Sequence, residues 1–226
     1  MGFKLESVIP WGRSMQEYIQ MFDLTPEELN LNILDCAGGP ASFNVEMTLQ
    51  GYQVISCDPV YQFTADEISQ RIQDTYETVI QGVTANKECY VWQNIPSPKM
   101  MGEIRMAAMN KFLQDFPLGI NQRRYLTDEL PVLSFSSNQF DLALCSHLLF
   151  TYSEQLSVDF HLASIVEMCR VAKEVRIFPL LTLSGELSPW LQPVMNELQQ
   201  RGYSVKIQQV PYEFQKHGNQ MLCINK

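Results

Sequence analysis

Short apolar runs alternate along the chain with longer segments in which apolar residues recur at helical spacing. Residues 31–34 and 54–57 are apolar runs that predict buried strands, and residues 41–50 between them predict a helix that Gly51 ends. A second helix is predicted from residue 63 to about residue 81. Because strands and helices alternate within about 50 residues, the pattern predicts a parallel sheet with right-handed crossovers.

The second half of the chain continues this alternation. Residues 140–146 (FDLALCS) and 174–181 (EVRIFPLL) predict two further buried strands. Between them, Thr151 and Glu154 form a predicted capping box that opens a helix. The order of elements again favours parallel strands joined by helices.

The chain ends with two more predicted strands, at residues 203–210 and 221–224, after a helix that Ser188 opens and Gly202 closes. Only ten residues connect these strands. A helical crossover between parallel strands needs a longer connection. We therefore expect the last two strands to be antiparallel neighbours, which makes the sheet mixed at one edge.

One long segment interrupts the pattern after the second strand. The next strand begins at Tyr125 or later, and residues 82–124 form an insertion with its own helix, started by Ser97 and Pro98. No internal repeat or linker-like stretch divides the chain. We therefore predict a single domain, residues 1–226, in which residues 82–124 form a helical cap over a pocket.

Composition and charge narrow the classes of partner. Apolar residues make up 46% of the chain and charged residues 18%, which favours a compact globular protein. The net charge is −9, and the longest basic run is the pair Arg123 and Arg124. Binding to a phosphate backbone needs a basic stripe. We therefore expect no nucleic-acid partner.

Cysteines and hydropathy indicate the compartment. The six cysteines include no C-x-x-C pair and lie mostly in apolar runs, so we expect buried free thiols and no metal site. The stretch MGFKLESVIP lacks the apolar core of a signal peptide, and no run approaches the length of about 18 apolar residues that a membrane span needs. We expect a cytoplasmic protein that does not enter membranes.

Candidate chemistry lies at the ends of the first two strands. The first strand leads into Ala37-Gly38-Gly39-Pro40-Ala41, a run of small or rigid residues that lets a ligand touch the main chain. The second strand ends at Asp58, whose carboxylate can accept hydrogen bonds from a vicinal diol such as ribose. In open α/β sheets, ligands bind at such strand ends. Together these features predict a nucleoside-containing cofactor.

The loop differs from a dinucleotide fingerprint. That fingerprint requires Gly-x-Gly-x-x-Gly or Ala, whereas this chain has Ala37, Gly39 and Ser42 at the three positions. Pro40 also removes one N–H donor from a phosphate cradle. A nucleoside without phosphate therefore fits better than a dinucleotide.

The segments LDCAGGPASF, CDPV and LSFSSNQFDLALCSHLLF, followed by the closing antiparallel pair, resemble the class I S-adenosylmethionine-dependent methyltransferases over about residues 31–226. The resemblance implies an α/β, Rossmann-like fold with helices on both faces of a seven-stranded sheet. That sheet is mostly parallel, with an antiparallel last strand. It also implies S-adenosylmethionine as the cofactor.

The resemblance also implies functional residues. Asp35, Ala37, Gly39 and Ala41 match the family's Asp-x-Gly-x-Gly-x-Gly loop, and Asp58 matches its ribose-binding acid. Glu129 and Leu130 lie near the adenine-contacting segment, and Cys145, Ser146 and His147 match the end of the fourth strand, which faces the methionine moiety and the acceptor. The remaining candidates are Gly38 and Pro40 in the loop, Pro59 beside Asp58, and Arg13 for the cofactor carboxylate, while Tyr18 is a candidate for covering the site.

Alanine replaces the first and third glycines of the family loop, at Ala37 and Ala41. Alanine allows less backbone freedom than glycine. We therefore expect both positions to have negative φ if the cofactor binds in the usual way.

We expect methyl transfer to a small or medium-sized acceptor, with His147 as the general base where the acceptor must lose a proton. The cap residues that we expect to shape the choice of acceptor are Tyr90, Trp92, Met101, Arg105 and Phe112. Two alternatives remain open. A non-catalytic S-adenosylmethionine-binding module would bind the cofactor without turnover. An oxidoreductase that uses NAD would bind nicotinamide, but the closing antiparallel pair and the missing third glycine disfavour it. The sequence leaves the acceptor and the oligomeric state open.

Overall fold

The computed structural model describes residues 8–226, which form one seven-stranded sheet with helices on both faces. The strands are β1 Ile33–Cys36, β2 Val54–Cys57, β3 Tyr125–Leu126, β4 Phe140–Ser146, β5 Ala172–Phe178, β6 Ser204–Gln209 and β7 Gln220–Asn225. The helices are α1 Met15–Met21, α2 Phe43–Leu49, α3 Ala65–Ala85, α4 Pro98–Asn121, α5 Val158–Val171 and α6 Leu191–Gln200. Short 3₁₀ turns join several of them.

The strand order is β3-β2-β1-β4-β5-β7-β6. The pairs from β3 to β5 are parallel, and β7 runs antiparallel to both β5 and β6. The predicted fold class and the predicted antiparallel pair at the end of the chain are therefore confirmed. The order reverses beside β1, where β2 lies on one side and β4 on the other, and a crevice opens there at the carboxyl ends of the strands.

Side chains alternate between the two faces of the sheet. On β4, Ala143 and Cys145 belong to the core against α5 and α6, whereas Leu142 and Leu144 belong to the core against α1 and α2. The central strands bury both faces, which explains why they appear in the sequence as continuous apolar runs and not as alternating ones.

Helix starts follow local capping chemistry. The Ser14 hydroxyl accepts the Glu17 N–H while Glu17 accepts the Ser14 N–H, which gives α1 a complete capping box. Ser97 caps α4 as the sequence predicts. The capping box predicted at Thr151 is wrong, because Thr151 lies in a 3₁₀ turn and α5 begins at Val158, capped by Ser157.

The segment between β2 and β3 consists mainly of two long helices. The later turns of α4 pack Met109, Phe112 and Phe116 against α3 and against Tyr125 of β3. Only the first turns of α4, at Met101 and Arg105, reach the crevice. The greater part of α4 therefore belongs to the core at the β3 edge of the sheet.

Three cysteines lie side by side across the centre of the sheet. Cys36 of β1 is in register with Cys57 of β2 and with Cys145 of β4, so the three thiols point to the same face. All three are buried and free. They form a row of small neutral groups beneath the carboxyl ends of the strands.

Candidate functional site

A cavity of about 600 Å³ opens at the carboxyl ends of β1, β2 and β4. Its volume lies in the range typical of small-molecule sites. Every predicted site residue lines this cavity except Asp35 and Cys145, which are buried beneath it. Tyr18, the predicted cover, also lines it.

The loop after β1 is held from several directions. The Gly39 N–H donates to Asp58 Oδ2 at 2.9 Å, and the Tyr61 hydroxyl donates to the Gly39 carbonyl at 2.8 Å. Gly39 has φ of +52°, and a Cβ built on it would meet only Asp58 Oδ2, at 3.8 Å. The space above this glycine is therefore open to a ligand.

Ala37 differs from the expectation for this loop. Its φ is +56°, so the prediction of negative φ at this position is wrong, whereas Ala41 is not among the positive-φ residues. The left-handed conformation costs an L-residue roughly 1–2 kcal/mol. Such strain persists where surrounding contacts fix the backbone, and here the neighbouring Gly38 N–H is held by the Cys57 carbonyl at 3.3 Å.

Asp35 supports the loop from below. Its carboxylate accepts hydrogen bonds from the Tyr18 hydroxyl at 3.1 Å and the Ser56 hydroxyl at 2.9 Å. A Cβ on Gly38 would lie 2.3 Å from Asp35 Oδ2, so the loop rests directly on this carboxyl. Burial raises the pKa of Asp35 to about 7 despite both hydrogen bonds.

One end of the cavity is acidic, and we call Asp58, Asp128 and Glu129 its acidic end. The second oxygen of Asp58, Oδ1, accepts the Val60 N–H at 2.8 Å. Burial raises the pKa of Asp58 to about 6, with a smaller contribution from the charge of Glu129. A ligand that donates hydrogen bonds to this carboxylate favours its ionised form.

His147 follows β4 in a left-handed conformation, with φ of +56°. Its backbone N–H donates to the Phe178 carbonyl at 2.7 Å, and its ring Nδ1 lies 2.8 Å from the Ser146 hydroxyl. Burial, and then the charges of Arg13 and Arg105, hold the pKa of His147 well below its usual range. The imidazole is therefore neutral at physiological pH.

Arg13 lies on the N-terminal segment that crosses the cavity. Its Nη1 donates to the Trp11 carbonyl at 2.9 Å, and its buried Nε has no hydrogen-bond partner. Among residues 8–226, no carboxylate forms an ion pair with it. This segment sits directly on the loop after β1, because a Cβ on Gly12 would lie 2.0 Å from the Pro40 carbonyl oxygen.

A second arginine, Arg105, lines the cavity and lies close enough to Arg13 to affect its pKa. We call these two residues the arginine end of the cavity. Arg105, on α4, forms a buried ion pair with Glu17 of α1, and its Nη2 donates to the Tyr212 hydroxyl at 3.2 Å. The Tyr212 hydroxyl in turn donates to Glu17 at 3.1 Å. Burial lowers the pKa of Arg105, but Glu17 and Tyr212 outweigh burial and raise it.

Sequence reasoning identified Arg105 as a cap residue but missed its partner Glu17. One signal was available, because Arg105 interrupts the apolar stripe of α4 that contains Met101, Ala108 and Phe112. A charge within a buried stripe requires a partner of opposite charge. Of the other predicted cap residues, Tyr90 and Met101 line the cavity, whereas Trp92 and Phe112 do not.

Asp141, at the start of β4, has a structural role. The Asp141 carboxylate accepts the Asn32 N–H and pairs with Lys173, and Asp141 does not line the cavity. Among the described residues, no group of three or more His, Cys, Asp or Glu side chains has the arrangement of a metal site. No helix in residues 8–226 is long and apolar enough to cross a membrane.

Comparison with known proteins places this geometry in context. No family model matches the chain. The chain is 31% identical over 225 residues to the uncharacterized protein MJ0045 of Methanocaldococcus jannaschii, and the alignment covers 98% of both chains.

Two solved structures share its fold. The methyltransferase domain of bacterial CtHen1-CN matches with a TM-score of 0.50 and 13% identity, covering 93% of this chain and 98% of that one. The mitomycin 7-O-methyltransferase MmcR matches with a TM-score of 0.50 and 12% identity, covering 94% of this chain and 53% of that one. At such low identity, these likenesses concern the fold alone.

Proposed function

This chain belongs to the same family as MJ0045 and has the class I S-adenosylmethionine-dependent methyltransferase fold, and on that premise we propose that it transfers a methyl group from S-adenosylmethionine to a small or medium-sized acceptor. One observation carries the proposal. Open space above Gly39 adjoins the Asp58 carboxylate, at the point where the strand order of the sheet reverses.

The acidic end fits a nucleoside. Each Asp58 oxygen accepts one backbone N–H and has a further lone pair for a ribose hydroxyl. Glu129 lies close enough to Asp58 to affect its pKa, and Leu130 offers an apolar contact for the base. The carboxylates at this end repel a pyrophosphate, which supports a nucleoside without phosphate.

The arginine end fits the amino-acid part of the cofactor. Arg13 is a partly buried cation whose Nε is fully buried, it has no carboxylate partner in residues 8–226, and burying an unpaired charge is costly. The carboxylate of a bound cofactor would supply that partner. Tyr18 and Ser146 border the space between this end and the loop after β1.

When bound, S-adenosylmethionine supplies a methyl group on a sulfonium leaving group. The protein's part is alignment and the exclusion of water, and alignment can contribute roughly 7–11 kcal/mol. His147 is neutral and lines the cavity, so it can accept a proton that an acceptor releases during transfer. Because its basicity is low, it removes that proton only as the acceptor becomes acidic.

Calorimetric titration with S-adenosylmethionine, S-adenosylhomocysteine and NAD tests the cofactor. We expect both adenosyl ligands to bind and NAD not to bind. Asp58→Ala should weaken binding of S-adenosylhomocysteine by roughly 10- to 100-fold, because hydrogen bonds to a charged group contribute about 1.5–3 kcal/mol. Unchanged binding would remove Asp58 from the site.

Asp141→Ala is the matched control. Asp141 is a carboxylate with its own ion pair, and it lies outside the cavity wall, so its loss should leave the affinity unchanged. An acceptor screen with radiolabelled methyl donor then tests catalysis. Adenosyl binding without any methylated product would favour the non-catalytic alternative.

A further inference from the structure

We propose that the acceptor is a planar apolar molecule that carries a negative charge, an aromatic anion, held between the arginine end of the cavity and an aromatic wall. This inference rests on the proposed function, because it concerns the space that a bound cofactor leaves free. It names the acceptor's chemical class, and it depends on Arg105 and on an aromatic wall, which the proposed contacts of the cofactor do not use.

The first observation is the balance of charge at the arginine end. Arg13 and Arg105 contribute two positive charges, and Glu17 pairs with Arg105, whereas no carboxylate among residues 8–226 forms an ion pair with Arg13. The carboxylate and ammonium of a bound cofactor cancel each other, and its sulfonium adds another positive charge. The region around the acceptor therefore stays positive with the cofactor in place, which favours an anion and disfavours a cation.

One hydrogen-bond donor of Arg105 has no partner in residues 8–226. Its Nη1 and Nη2 contact Glu17 and Tyr212, but its buried Nε has no hydrogen-bond partner, like the Nε of Arg13. Buried donors normally have partners. Because the carboxylate of a bound cofactor supplies a partner for Arg13, Arg105 is the arginine that remains for an anionic group of the acceptor.

The second observation is the aromatic wall beside these arginines. The Phe178 ring lies 5.5 Å from the His147 ring and 5.7 Å from the Tyr212 ring, both edge to face. All three residues line the cavity. Their separations lie in the range for favourable aromatic pairs, so the wall offers ring faces and edges to a planar ligand.

Apolar side chains continue this wall. Val79, Val83, Tyr90, Met101 and Phe214 belong to one packed cluster and line the cavity. Met101 lies one helical turn before Arg105, so α4 presents an apolar contact and a cation on the same face. The carboxylates of Asp58, Asp128 and Glu129 line the acidic end of the same cavity. The two ends therefore separate a nucleoside from an aromatic anion by charge.

Three naphthyl probes of similar size and different charge test the charge preference. The protein, loaded with S-adenosylhomocysteine, is titrated with naphthoate, naphthamide and naphthylmethylammonium. We expect naphthoate to bind on the order of tenfold more tightly than naphthamide at low salt, and the cation to bind most weakly. Added salt should reduce the difference.

Two variants that change the charge in opposite directions test whether the arginine end causes the preference for naphthoate. Arg105→Gln should weaken the binding of naphthoate relative to that of naphthamide, because it removes a positive charge. Glu17→Gln should strengthen the binding of naphthoate relative to that of naphthamide, because it removes a negative charge. Arg201→Gln, which removes an arginine paired with Glu197 on the surface, should change neither ratio. If a buried variant fails to fold, the three probes on the unmodified protein still decide.

Several outcomes would overturn the inference. Equal binding of the three probes, preference for the cation, or no probe binding to protein that holds S-adenosylhomocysteine would each exclude an aromatic-anion site. A failure of S-adenosylhomocysteine itself to bind is a different result. It would remove the proposed function, and the acceptor class would be rejected with it.

Discussion

The hydrogen bonds that hold the two ends of the cavity join residues at very different separations along the chain. At the acidic end, the Gly39 N–H reaches the Asp58 carboxylate across 19 positions, within one strand-helix-strand unit. At the arginine end, the Tyr212 hydroxyl reaches Glu17 across 195 positions, and Arg105 joins them from a third segment. The first end is a local motif, and the second forms only when the fold is complete.

This difference predicts how each end responds to change. The acidic end rests on the buried Asp35, Tyr18 and Ser56 network and on tightly packed glycines. The arginine end depends on a buried ion pair between two helices. Changes at the acidic end should act mainly on cofactor binding, and changes at the arginine end should act on global stability as well.

Arg105→Met should have the largest effect. The Arg105 side chain is 2% exposed and that of Glu17 is 11% exposed, so the substitution leaves a buried carboxylate unpaired. Breaking a buried pair in this way costs about 3–5 kcal/mol. Urea denaturation measures the free energy of unfolding. The double variant with Glu17→Gln should recover part of the loss, and a loss below about 1 kcal/mol in the single variant would contradict the argument.

Gly38→Ala should have the next largest effect. The new Cβ would lie 2.3 Å from Asp35 Oδ2 and 2.9 Å from the Tyr61 hydroxyl. Overpacking of this kind costs about 1–3 kcal/mol and would displace the loop. We expect lower thermal stability together with weaker binding of S-adenosylhomocysteine by calorimetry.

Gly51→Ala is the control for Gly38→Ala. Gly51 has φ of +86° and open space around it, so alanine there adds backbone strain without a collision. It should lower stability and leave the affinity unchanged. If both variants lost affinity equally, the loop would not be the specific cause.

The pH dependence of cofactor binding should report on Asp58. Its pKa is raised from 3.8 to about 6, and ribose hydroxyls favour the ionised carboxylate. The affinity for S-adenosylhomocysteine should therefore be constant above about pH 7 and fall by up to about tenfold per pH unit below 6. Asp58→Asn should bind more weakly and lose this dependence.

The same raised pKa has an opposite consequence for stability. Between pH 3.8 and about 6, the folded protein holds more protons at Asp58 than the unfolded chain does. The contribution of Asp58 to the free energy of unfolding therefore decreases as pH rises through this window. Comparing urea denaturation of the parent and Asp58→Asn across these pH values isolates that contribution.

Ala37→Gly should have the smallest effect. Relief of the left-handed alanine gains roughly 1–2 kcal/mol, and the greater freedom of glycine in the unfolded chain costs roughly 0.5–1 kcal/mol. We expect a net stabilisation of about 1 kcal/mol or less by thermal unfolding. Ala41→Gly, where φ is not positive, should be neutral or destabilising. Destabilisation by Ala37→Gly would contradict the assigned strain.

The sequence predicted the parts of the molecule that depend on neighbouring residues. The strands at residues 54–57 and 140–146 and the cap at Ser97 follow from apolar runs and local hydrogen bonds. It predicted the loop after β1 and Asp58 as a pair, because both follow strands of one unit. The structure brings them into direct contact.

Properties that depend on distant contacts escaped sequence reasoning. Ala37 has positive φ because the surrounding structure fixes the loop, which no alanine propensity reveals. The start of α5 is displaced from Thr151 to Val158 because a 3₁₀ turn follows the left-handed His147. Glu17 completes the capping box of α1, yet it also neutralises an arginine 88 positions away.

The row formed by Cys36, Cys57 and Cys145 has a consequence for a protein that binds an alkylating reagent, because a thiolate near that reagent would be alkylated. Burial raises the pKa of Cys145 to about 12, and contact with Cys57 together with burial raises the pKa of Cys36 well above its usual value. Only the thiolate is a strong nucleophile. At Cys36 and Cys145, an electrophile bound above the strand ends would therefore meet protonated sulfur, which slows alkylation of the protein at these two positions.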